Sequence, residues 1–273
     1  MQVYRGMDIG TAKPSAEERK GVPHHLMDII DPDTPFTLDD WLAQATDVIA
    51  DIRSRGKWPI IVGGTNLYVQ AFYWGLIDAP GPDPALRATL DTLPPEDLRA
   101  RLEAADPQAA QRIHPNDRRR TIRALEVAAS GASISSMQGQ WTQPHRSDAR
   151  LVGLQWPTEV INARINARVK QMAQAGLEAE VRRLAPTLAP QAAEALGYKQ
   201  LLPVLAGQCS LDDALEQVKI GSRRLAKQQR TWLRRFGVIN PALWIEPAQK
   251  DPEMLVQKAF TWILGESASN KKA

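Results

Sequence analysis

A regular series of cationic side chains runs along one face of a helix predicted over residues 211–236. The members are spaced four, four, three and four residues apart: Lys219, Arg223, Lys227, Arg230 and Arg234. At about 100° per residue, they fall within an arc of roughly 80°. No acidic residue occurs between Glu216 and Glu246, so like charges at i,i+4 repel one another without a local counterion. A charge run is usually a solvated face, but the missing carboxylates favour contact with a polyanion.

A second basic cluster consists of Arg118, Arg119, Arg120 and Arg123. Arg119 and Arg123 share a helix face at i,i+4, and guanidinium groups suit phosphate oxygens better than ammonium groups do. The cluster either binds phosphates or lies on a surface helix with Glu126 as a partial partner. The sequence leaves both interpretations open.

Residues 63–65 read Gly-Gly-Thr and follow the apolar run Trp58–Val62. Such a run predicts a strand buried on both faces, as in a parallel sheet, and a helical pattern resumes from Thr65 to Trp74. Strand, glycine turn and helix is the arrangement that aims backbone N–H groups at an anion. The Thr65 hydroxyl can bind a phosphate oxygen or a metal-bound water. Taken alone, a Gly-Gly turn after a strand is most often only a turn.

The remaining candidates for chemistry are given structural roles. His24 and His25 lie near Asp28 and Asp31, but adjacent residues cannot share one helix face, which argues against a metal site. Three isolated residues receive no catalytic role: His114, His145 and Cys209.

The periodicity of apolar residues predicts a mostly helical chain with short strands. The expected helices cover residues 42–55, 117–129, 158–175, 177–185 and 211–236, and two further strands cover residues 151–154 and 243–245. The proline-rich segment 80–84 marks a boundary, after which the pattern is helical to about Gly131. Residues 132–149 are expected to form a loop, and residues 266–273 to fray.

Length and composition limit the classes of protein. A chain of 273 residues can form one large domain, or a core with a small insert. The single cysteine excludes an intrachain disulfide, and neither a membrane span nor a secretory leader is recognisable, so a cytoplasmic protein is expected. A net charge of +3 is too small to establish nucleic-acid binding, so that prediction depends on where the charged residues lie along the chain.

Six motifs resemble, in the right order, those of the tRNA dimethylallyltransferases (isopentenyl transferases). They lie at residues 2–14 (QVYRGMDIGTAKP), 63–68 (GGTNLY), 112–117 (RIHPND), 123–127 (RALEV), 197–200 (GYKQ) and 223–234. One such match arises easily by chance, but six in series over nearly the whole chain do not.

The resemblance implies a fold and a reaction. The fold would be α/β, with a parallel-sheet core like that of the P-loop NTPases, here without its first strand region, over residues 1–80 and 150–273. A helical insertion over residues 81–149 would clamp the tRNA anticodon stem. The family transfers a dimethylallyl group from dimethylallyl diphosphate to N6 of adenosine 37 in tRNA, assisted by Mg2+. A monomer is expected.

The resemblance also implies roles for individual residues. Thr65 would be catalytic, bonding near the reacting amine and the bridging oxygen of the donor, and Arg223 would hold the diphosphate. The residues expected to contact tRNA are Met1, Gln2, Thr65, Arg87, Arg119, Arg120, Arg123, Gly197, Tyr198, Lys199, Lys227, Gln228, Arg230, Trp232 and Arg234.

Two parts of the family pattern would lie upstream of Met1. They are the aspartate general base, two residues before that position, and the phosphate loop with its Lys and Ser/Thr. We therefore expect a reading frame that starts at an internal methionine, or a cut chain, with the Mg2+ ligand upstream. Binding of tRNA would survive in part, while turnover would be severely impaired. The alternatives are a P-loop-type kinase of a small metabolite, a catalytically dead tRNA-binding fragment, and an unstable remnant with no partner.

Overall fold

The fold is taken from a computed structural model, which describes residues 1–75, 79–137, 149–239, 242–247 and 251–264. The chain divides into two compact units. Unit 1 comprises Met1–Val69 and Asp148–Ala273, and unit 2 comprises Gln70–Ser147. The functional division expected from the sequence, a transferase core and a tRNA-clamping insertion, stays a prediction.

The expected α/β class is confirmed: the described chain is mostly helical and contains a small parallel sheet. Its elements are α1 (Leu38–Ser54), α2 (Asn66–Trp74), α3 (Pro84–Asp91), α4 (Pro95–Ala105), α5 (Pro107–Arg112), α6 (Arg118–Ala129), α7 (Ile134–Met137), β1 (Leu151–Leu154), α8 (Thr158–Gln174), α9 (Leu177–Leu184), α10 (Pro190–Ala193), α11 (Tyr198–Leu205), α12 (Leu211–Ile239), β2 (Ala242–Ile245) and α13 (Pro252–Leu264).

Local sequence signals set several helix boundaries. Thr37 and Asp40 form a capping box at the start of α1, each side chain accepting the backbone N–H of the other residue. The Asp117 carboxylate caps α6, and the Ser210 hydroxyl accepts the N–H of Asp213 at the start of α12. These signals are local, and the predicted starts of α6 and α12 agree with the structure to within one residue, whereas the predicted start of α1, residue 42, lies four residues after the capped start.

The core of unit 1 joins the N-terminal segment to the helices that follow β1. Tyr4 and Met7 are fully buried, although residues 1–37 contain no helix. They belong to the same apolar cluster as Val169 of α8, Val181 of α9 and Leu201 of α11. The segment before α1 is therefore part of the core of unit 1.

The sheet described in unit 1 consists of β1 and β2, paired in parallel from Leu151 opposite Ala242 to Leu154 opposite Ile245. The Trp244 ring occupies the space that a Cβ atom on Gly153 would need, so this pairing requires a glycine.

Unit 2 contains α3–α7 around its own apolar cluster, which includes Leu90, Leu98, Leu102 and Ile122. Asp106 caps α5 by accepting the Ala109 N–H, and its other carboxylate oxygen accepts the Ser133 hydroxyl and the Ser135 N–H. One buried side chain thus joins two parts of the unit.

The strand predicted over Trp58–Val62 is wrong. The segment forms no regular element between α1 and α2, and Trp58, Ile60 and Val62 expose 64%, 78% and 90% of their surface. An apolar run signals burial, but a strand also needs a paired neighbour, which is a non-local condition. Within the described ranges, β1 and β2 pair only with each other. The predicted loop over residues 132–149 contains the short helix α7, and its residues 138–148, like the expected frayed end, lie outside the described chain.

Candidate functional site

The glycine turn at residues 63–65 leads directly into α2. The Thr65 carbonyl accepts the backbone N–H groups of Tyr68 and Val69, so Thr65 stands at the N-terminal end of this helix. Thr65 is exposed, and its hydroxyl makes no hydrogen bond to any described residue. The hydroxyl predicted to be catalytic is therefore available to a ligand.

Arg223 lies on α12 against α8. Its Nη2 donates to the Asn166 Oδ1 at 2.6 Å, while its Nε is buried without an acceptor. A buried N–H without a partner costs free energy that an added acceptor would recover. The Arg223 guanidinium is thus anchored at one nitrogen and unsatisfied at another, as an anion-binding arginine would be before its ligand arrives.

The rest of the basic face of α12 carries little compensating negative charge. Lys219 pairs with Glu216, and Arg230 donates to a hydroxyl of α8 rather than to a carboxylate. Lys227 and Arg234 are exposed and have no ion pair with any described residue. Glu216 is the one carboxylate that pairs with this face in the described chain. The alternative that the face is merely solvated and neutralised by salt bridges is therefore weakened.

Two further residues of α12 were expected to contact tRNA. Gln228 is exposed, whereas Trp232 is half-buried, with its ring centroid 6.0 Å from that of Phe236. Trp232 thus packs within its own helix and presents only part of its ring.

The loop at residues 6–10 is held by two charged side chains of α9. The buried Glu180 carboxylate accepts the backbone N–H groups of Asp8, Ile9 and Gly10 at 2.8–3.0 Å. The Arg183 Nη2 donates to the Gly6 carbonyl at 3.0 Å. Three successive N–H groups form an anion-binding concavity, and here the protein's own carboxylate fills it.

Tyr198 completes the Glu180 site. Its hydroxyl donates to the Glu180 carboxylate at 2.5 Å, and burial together with that carboxylate raises the pKa of the Tyr198 phenol above its ordinary value. The Tyr198 side chain is fully buried, so it presents no side-chain surface to solvent. Gly197 is also buried, whereas Lys199 is exposed and pairs with Glu194 at 2.6 Å.

The first two residues are tied to the same loop. Gln2 donates to the carbonyls of Thr11 and Ala12, both at 3.1 Å, so its amide is engaged within the chain. Met1 is half-exposed, and burial of its amine together with the Lys13 charge lowers the pKa of that amine. The Gln2 side chain is therefore positioned by the backbone that continues directly from the loop held by Glu180.

The four arginines of unit 2 that were expected to contact tRNA fall into two groups. Arg87 and Arg123 approach the buried Glu126 carboxylate at 2.6 and 3.5 Å; the sequence suggested Glu126 as a partner for the cluster that contains Arg123, but not for Arg87. Arg119 is exposed without an ion pair to any described residue, and Arg120 is largely exposed. The first group is held in place, and the second extends into solvent.

The described residues contain no group of three side chains that would form a metal site. Asp28 pairs with Lys13 at 2.5 Å, and Asp31 pairs with Arg5 at 3.1 Å, so the two carboxylates near the His24–His25 pair have other partners. No helix within the described ranges is long and apolar enough to cross a membrane.

Two residues that contact these loops could not be identified as functional from the sequence alone. Glu180 lies about 170 residues from the loop that it binds, and Gln229 lies 165 residues from the Gly64 carbonyl to which it donates. Neither has a spacing or neighbour that distinguishes it from an ordinary polar residue of an amphipathic helix.

The chain matches a known protein-family model and several known proteins. Residues 2–236 match the model described as IPP transferase. A relative from Citrifermentans bemidjiense, tRNA dimethylallyltransferase 1, is 44% identical over 255 residues, which cover 90% of this chain and 81% of the relative. The tRNA dimethylallyltransferase of Anaeromyxobacter dehalogenans is 44% identical over 265 residues, which cover 94% and 87%.

Two solved structures extend the comparison. A tRNA isopentenylpyrophosphate transferase from Staphylococcus epidermidis superimposes with a TM-score of 0.69 at 35% identity, covering 98% of this chain and 89% of the other. A eukaryotic dimethylallyltransferase, described as acting on tRNA, superimposes with a TM-score of 0.82 at 26% identity, covering 100% and 73%.

Proposed function

This chain belongs to the IPP transferase family, and from that premise we propose that it transfers a dimethylallyl group to N6 of adenosine 37 in tRNA, with dimethylallyl diphosphate as donor. The observation that carries the proposal is the extent of the match, since the related transferases are covered over more than four-fifths of their length. A P-loop-type kinase, the other enzyme considered, has no comparable support.

The reaction makes two demands. The adenosine amine attacks the carbon of the dimethylallyl group that bears the diphosphate, so a C–N bond forms as a C–O bond breaks. The diphosphate leaves with the bonding electron pair, and the amine loses a proton. Departing negative charge needs cations and N–H donors, and the adenine must leave its stack to reach the donor.

Arg223 and Thr65 fit the first demand. The Arg223 guanidinium is oriented by Asn166 and has an unsatisfied Nε, so a diphosphate oxygen would supply the acceptor that it lacks. The Thr65 hydroxyl is exposed and unbonded, and it can donate to a donor oxygen or accept from the amine. We assign the remaining step, removal of the amine proton, to none of the described residues.

The exposed cations suit binding of the RNA that carries the adenosine. Lys227 and Arg234 in unit 1, and Arg119 and Arg120 in unit 2, project into solvent where RNA phosphates can reach them. Phosphate contacts supply affinity and position, whereas unstacked bases of a loop supply specificity. We therefore propose the tRNA anticodon stem-loop as the macromolecular substrate.

Mg2+ is the metal that we propose to accompany the diphosphate, whose charge a divalent cation offsets. The described residues do not offer it a ligand set, because Asp8 and Asp28 pair with Lys13 and the Glu180 carboxylate is filled by backbone N–H groups. We therefore assign no residue to the metal and derive no step through it. The monomeric state and the cytoplasmic location stay predictions.

The direct test is incubation with unmodified tRNA, dimethylallyl diphosphate and Mg2+, followed by mass analysis of the nucleosides. It should be run on this chain and on a form extended upstream in the same reading frame. Dimethylallyl-adenosine at position 37 from either form supports the proposal. Salt-dependent tRNA binding without product from both forms would instead indicate the RNA-binding fragment.

Arg223→Ala tests the diphosphate assignment in whichever form makes product. We expect product formation to fall at least about a hundredfold, because a cation that meets the leaving group is lost, while tRNA binding stays nearly unchanged. Arg224→Ala is the matched control, since it removes the same charge from an exposed neighbouring position. Equal losses from both variants would refute the assignment.

A further inference from the structure

We propose that Gln229 is a positioning residue, which holds the Gly63–Thr65 turn against α12 and so fixes the Thr65 hydroxyl for the reaction. This inference rests on the proposed function, because it concerns the same turn. Gln229 itself touches no substrate in this proposal; it acts through the backbone of its neighbour.

The contact is a single well-formed hydrogen bond. The Gln229 Nε2 donates to the Gly64 carbonyl at 2.8 Å, within unit 1 and across 165 residues of sequence. Gln229 is half-buried, so the bond is partly shielded from competing water. Thr65 follows immediately, and a fixed Gly64 carbonyl restricts the peptide plane from which the Thr65 backbone continues.

Packing supports the hydrogen bond. The Gln229 amide lies where a Cβ atom on Gly64 would have to be, so the two groups approach more closely than any other residue type at position 64 allows. At Gly63, by contrast, a Cβ atom would meet nothing within 4 Å. A side chain at position 64 would therefore displace the Gln229 amide from its hydrogen bond, whereas one at position 63 would not.

No alternative restraint is visible in the described chain for the segment that precedes Thr65. Residues 58–63 make no hydrogen bond to any described residue, and their apolar side chains are largely exposed. The Gln229 bond is therefore the polar contact that ties this segment to a regular element. Loss of that bond would remove the hydrogen bond that the described chain shows between the turn and α12.

The helix that carries Gln229 also carries Arg223. The two residues are six positions apart, which corresponds to about 9 Å along the axis and about 120° around it. One rigid helix thus presents the group proposed to receive the diphosphate and the group that restrains the Thr65 turn. A shared helix sets both positions relative to each other without a direct contact.

The test compares three variants. Gln229→Met keeps the length of the side chain but removes the donor, and Gln229→Glu replaces the donor with an acceptor that faces a carbonyl. Gln217→Ala is the control, because Gln217 is an exposed glutamine on the same helix. The thermal midpoint of each variant establishes that it folds.

Hydrogen exchange on this chain is the readout that does not depend on activity. We expect Gln229→Met and Gln229→Glu to accelerate exchange of the Tyr68 and Val69 amides, which donate to the Thr65 carbonyl at the end of the turn, and Gln217→Ala to leave it unchanged. Unaltered exchange in both Gln229 variants would overturn the proposal.

Kinetics of the form that makes product supply the second readout. We expect kcat to fall about ten- to a hundredfold in both Gln229 variants with little change in the KM for tRNA, because a displaced catalytic group weakens the chemical step more than binding. Accelerated exchange with an unchanged kcat would also overturn the positioning role. If the unsubstituted forms make no product at all, the proposed function fails, and the exchange experiment still decides whether Gln229 restrains the turn.

Discussion

Glu126 illustrates how one side chain can set the positions of two others. Its carboxylate is 1% exposed and accepts ion pairs from Arg87 and Arg123, which are 45% and 31% exposed. Two cations share one anion, so the carboxylate orients the pair without neutralising it. The Arg123 Nη2 also donates to the Pro80 carbonyl, which fixes its direction further.

Replacing the carboxylate should destabilise unit 2. In Glu126→Gln we expect the free energy of unfolding to fall by about 1–3 kcal/mol, less than for a fully buried pair, because both guanidinium groups reach solvent. Urea denaturation measures the change. Glu96→Gln removes the same charge from an exposed site of α4 and should change stability by less than about 0.5 kcal/mol. Equal effects of the two substitutions would contradict the role of Glu126.

Asp106 is a second buried carboxylate of unit 2, and it has a predictable pH dependence. Burial alone would raise the pKa of Asp106, but hydrogen bonds from Ala109, Ser133 and Ser135 outweigh it and lower the pKa to about 2. A carboxyl whose pKa is lower in the folded state stabilises the fold above its unfolded pKa of 3.8. That contribution to stability declines as the pH falls through 3.8, and it is lost below the folded-state pKa of about 2.

Asp106→Asn tests this dependence. The difference in unfolding free energy between the unsubstituted protein and the variant should be constant above pH 5 and should shrink by about 2 kcal/mol towards pH 2. Urea unfolding at a series of pH values measures it. A difference that stays constant down to pH 2 would show that the charge of Asp106 contributes nothing to stability.

At the scale of elements, α9 determines the conformation of the N-terminal loop. Glu180 and Arg183 lie three residues apart and hold successive parts of the loop by its backbone. Gly10 fits against the Tyr198 ring so closely that a Cβ atom would lie 2.5 Å from a ring carbon. The loop therefore has its conformation because a helix far along the chain provides its partners.

Gly10→Ala should disturb that fit. We expect a loss of about 1–3 kcal/mol of stability, since neither the buried ring nor the loop can move freely. Thermal unfolding measures it, with Gly81→Ala as the control, because a Cβ atom at Gly81 meets nothing within 4 Å. The double variant Gly10→Ala/Tyr198→Leu should recover part of the loss if the clash is the cause, and a purely additive loss would exclude it.

The elements that sequence analysis predicted are those with local signals. The helices α1, α6 and α12 have caps and periodic apolar faces, and the strand β1 is bounded by polar residues on one side and Pro157 on the other. The strand predicted at residues 58–62 failed because pairing depends on distant residues. The helices α11 and α13 were not predicted; α11 contains Pro203, which ordinarily argues against a helix.

The candidate site likewise has features that local spacing predicts and features that depend on distant partners. The basic face of α12 was predictable because spacing alone places its members together. The partner that orients Arg223 was not predictable, because Asn166 lies 57 residues away. Nor was the contact between the Glu180 carboxylate and the backbone N–H groups of the loop that contains Gly10. The tRNA contact expected of Tyr198 stays a prediction, and the side chain of this motif residue lies in the core of unit 1, a placement that its motif did not indicate.

Across the whole molecule, the placement of charge matters more than its sum. The net charge is only +3, yet each unit carries exposed cations without described carboxylate partners. In unit 1 these include Lys227 and Arg234, and in unit 2 Arg119. Localised cations bind a polyanion by releasing condensed counterions, so each phosphate contact contributes to the salt dependence of binding.

The salt dependence of tRNA binding should therefore separate contact residues from bystanders. Lys227→Ala and Arg234→Ala should each reduce the slope of log K against log salt by about 0.7–0.9, because each removes one phosphate contact. Lys258→Ala, which removes an equal charge from the exposed surface of α13, should leave the slope unchanged. Filter binding or fluorescence anisotropy at several salt concentrations measures all three. If Lys258→Ala lowers the slope as much as Lys227→Ala does, the attraction follows the overall charge, and the basic face of α12 is not the contact surface.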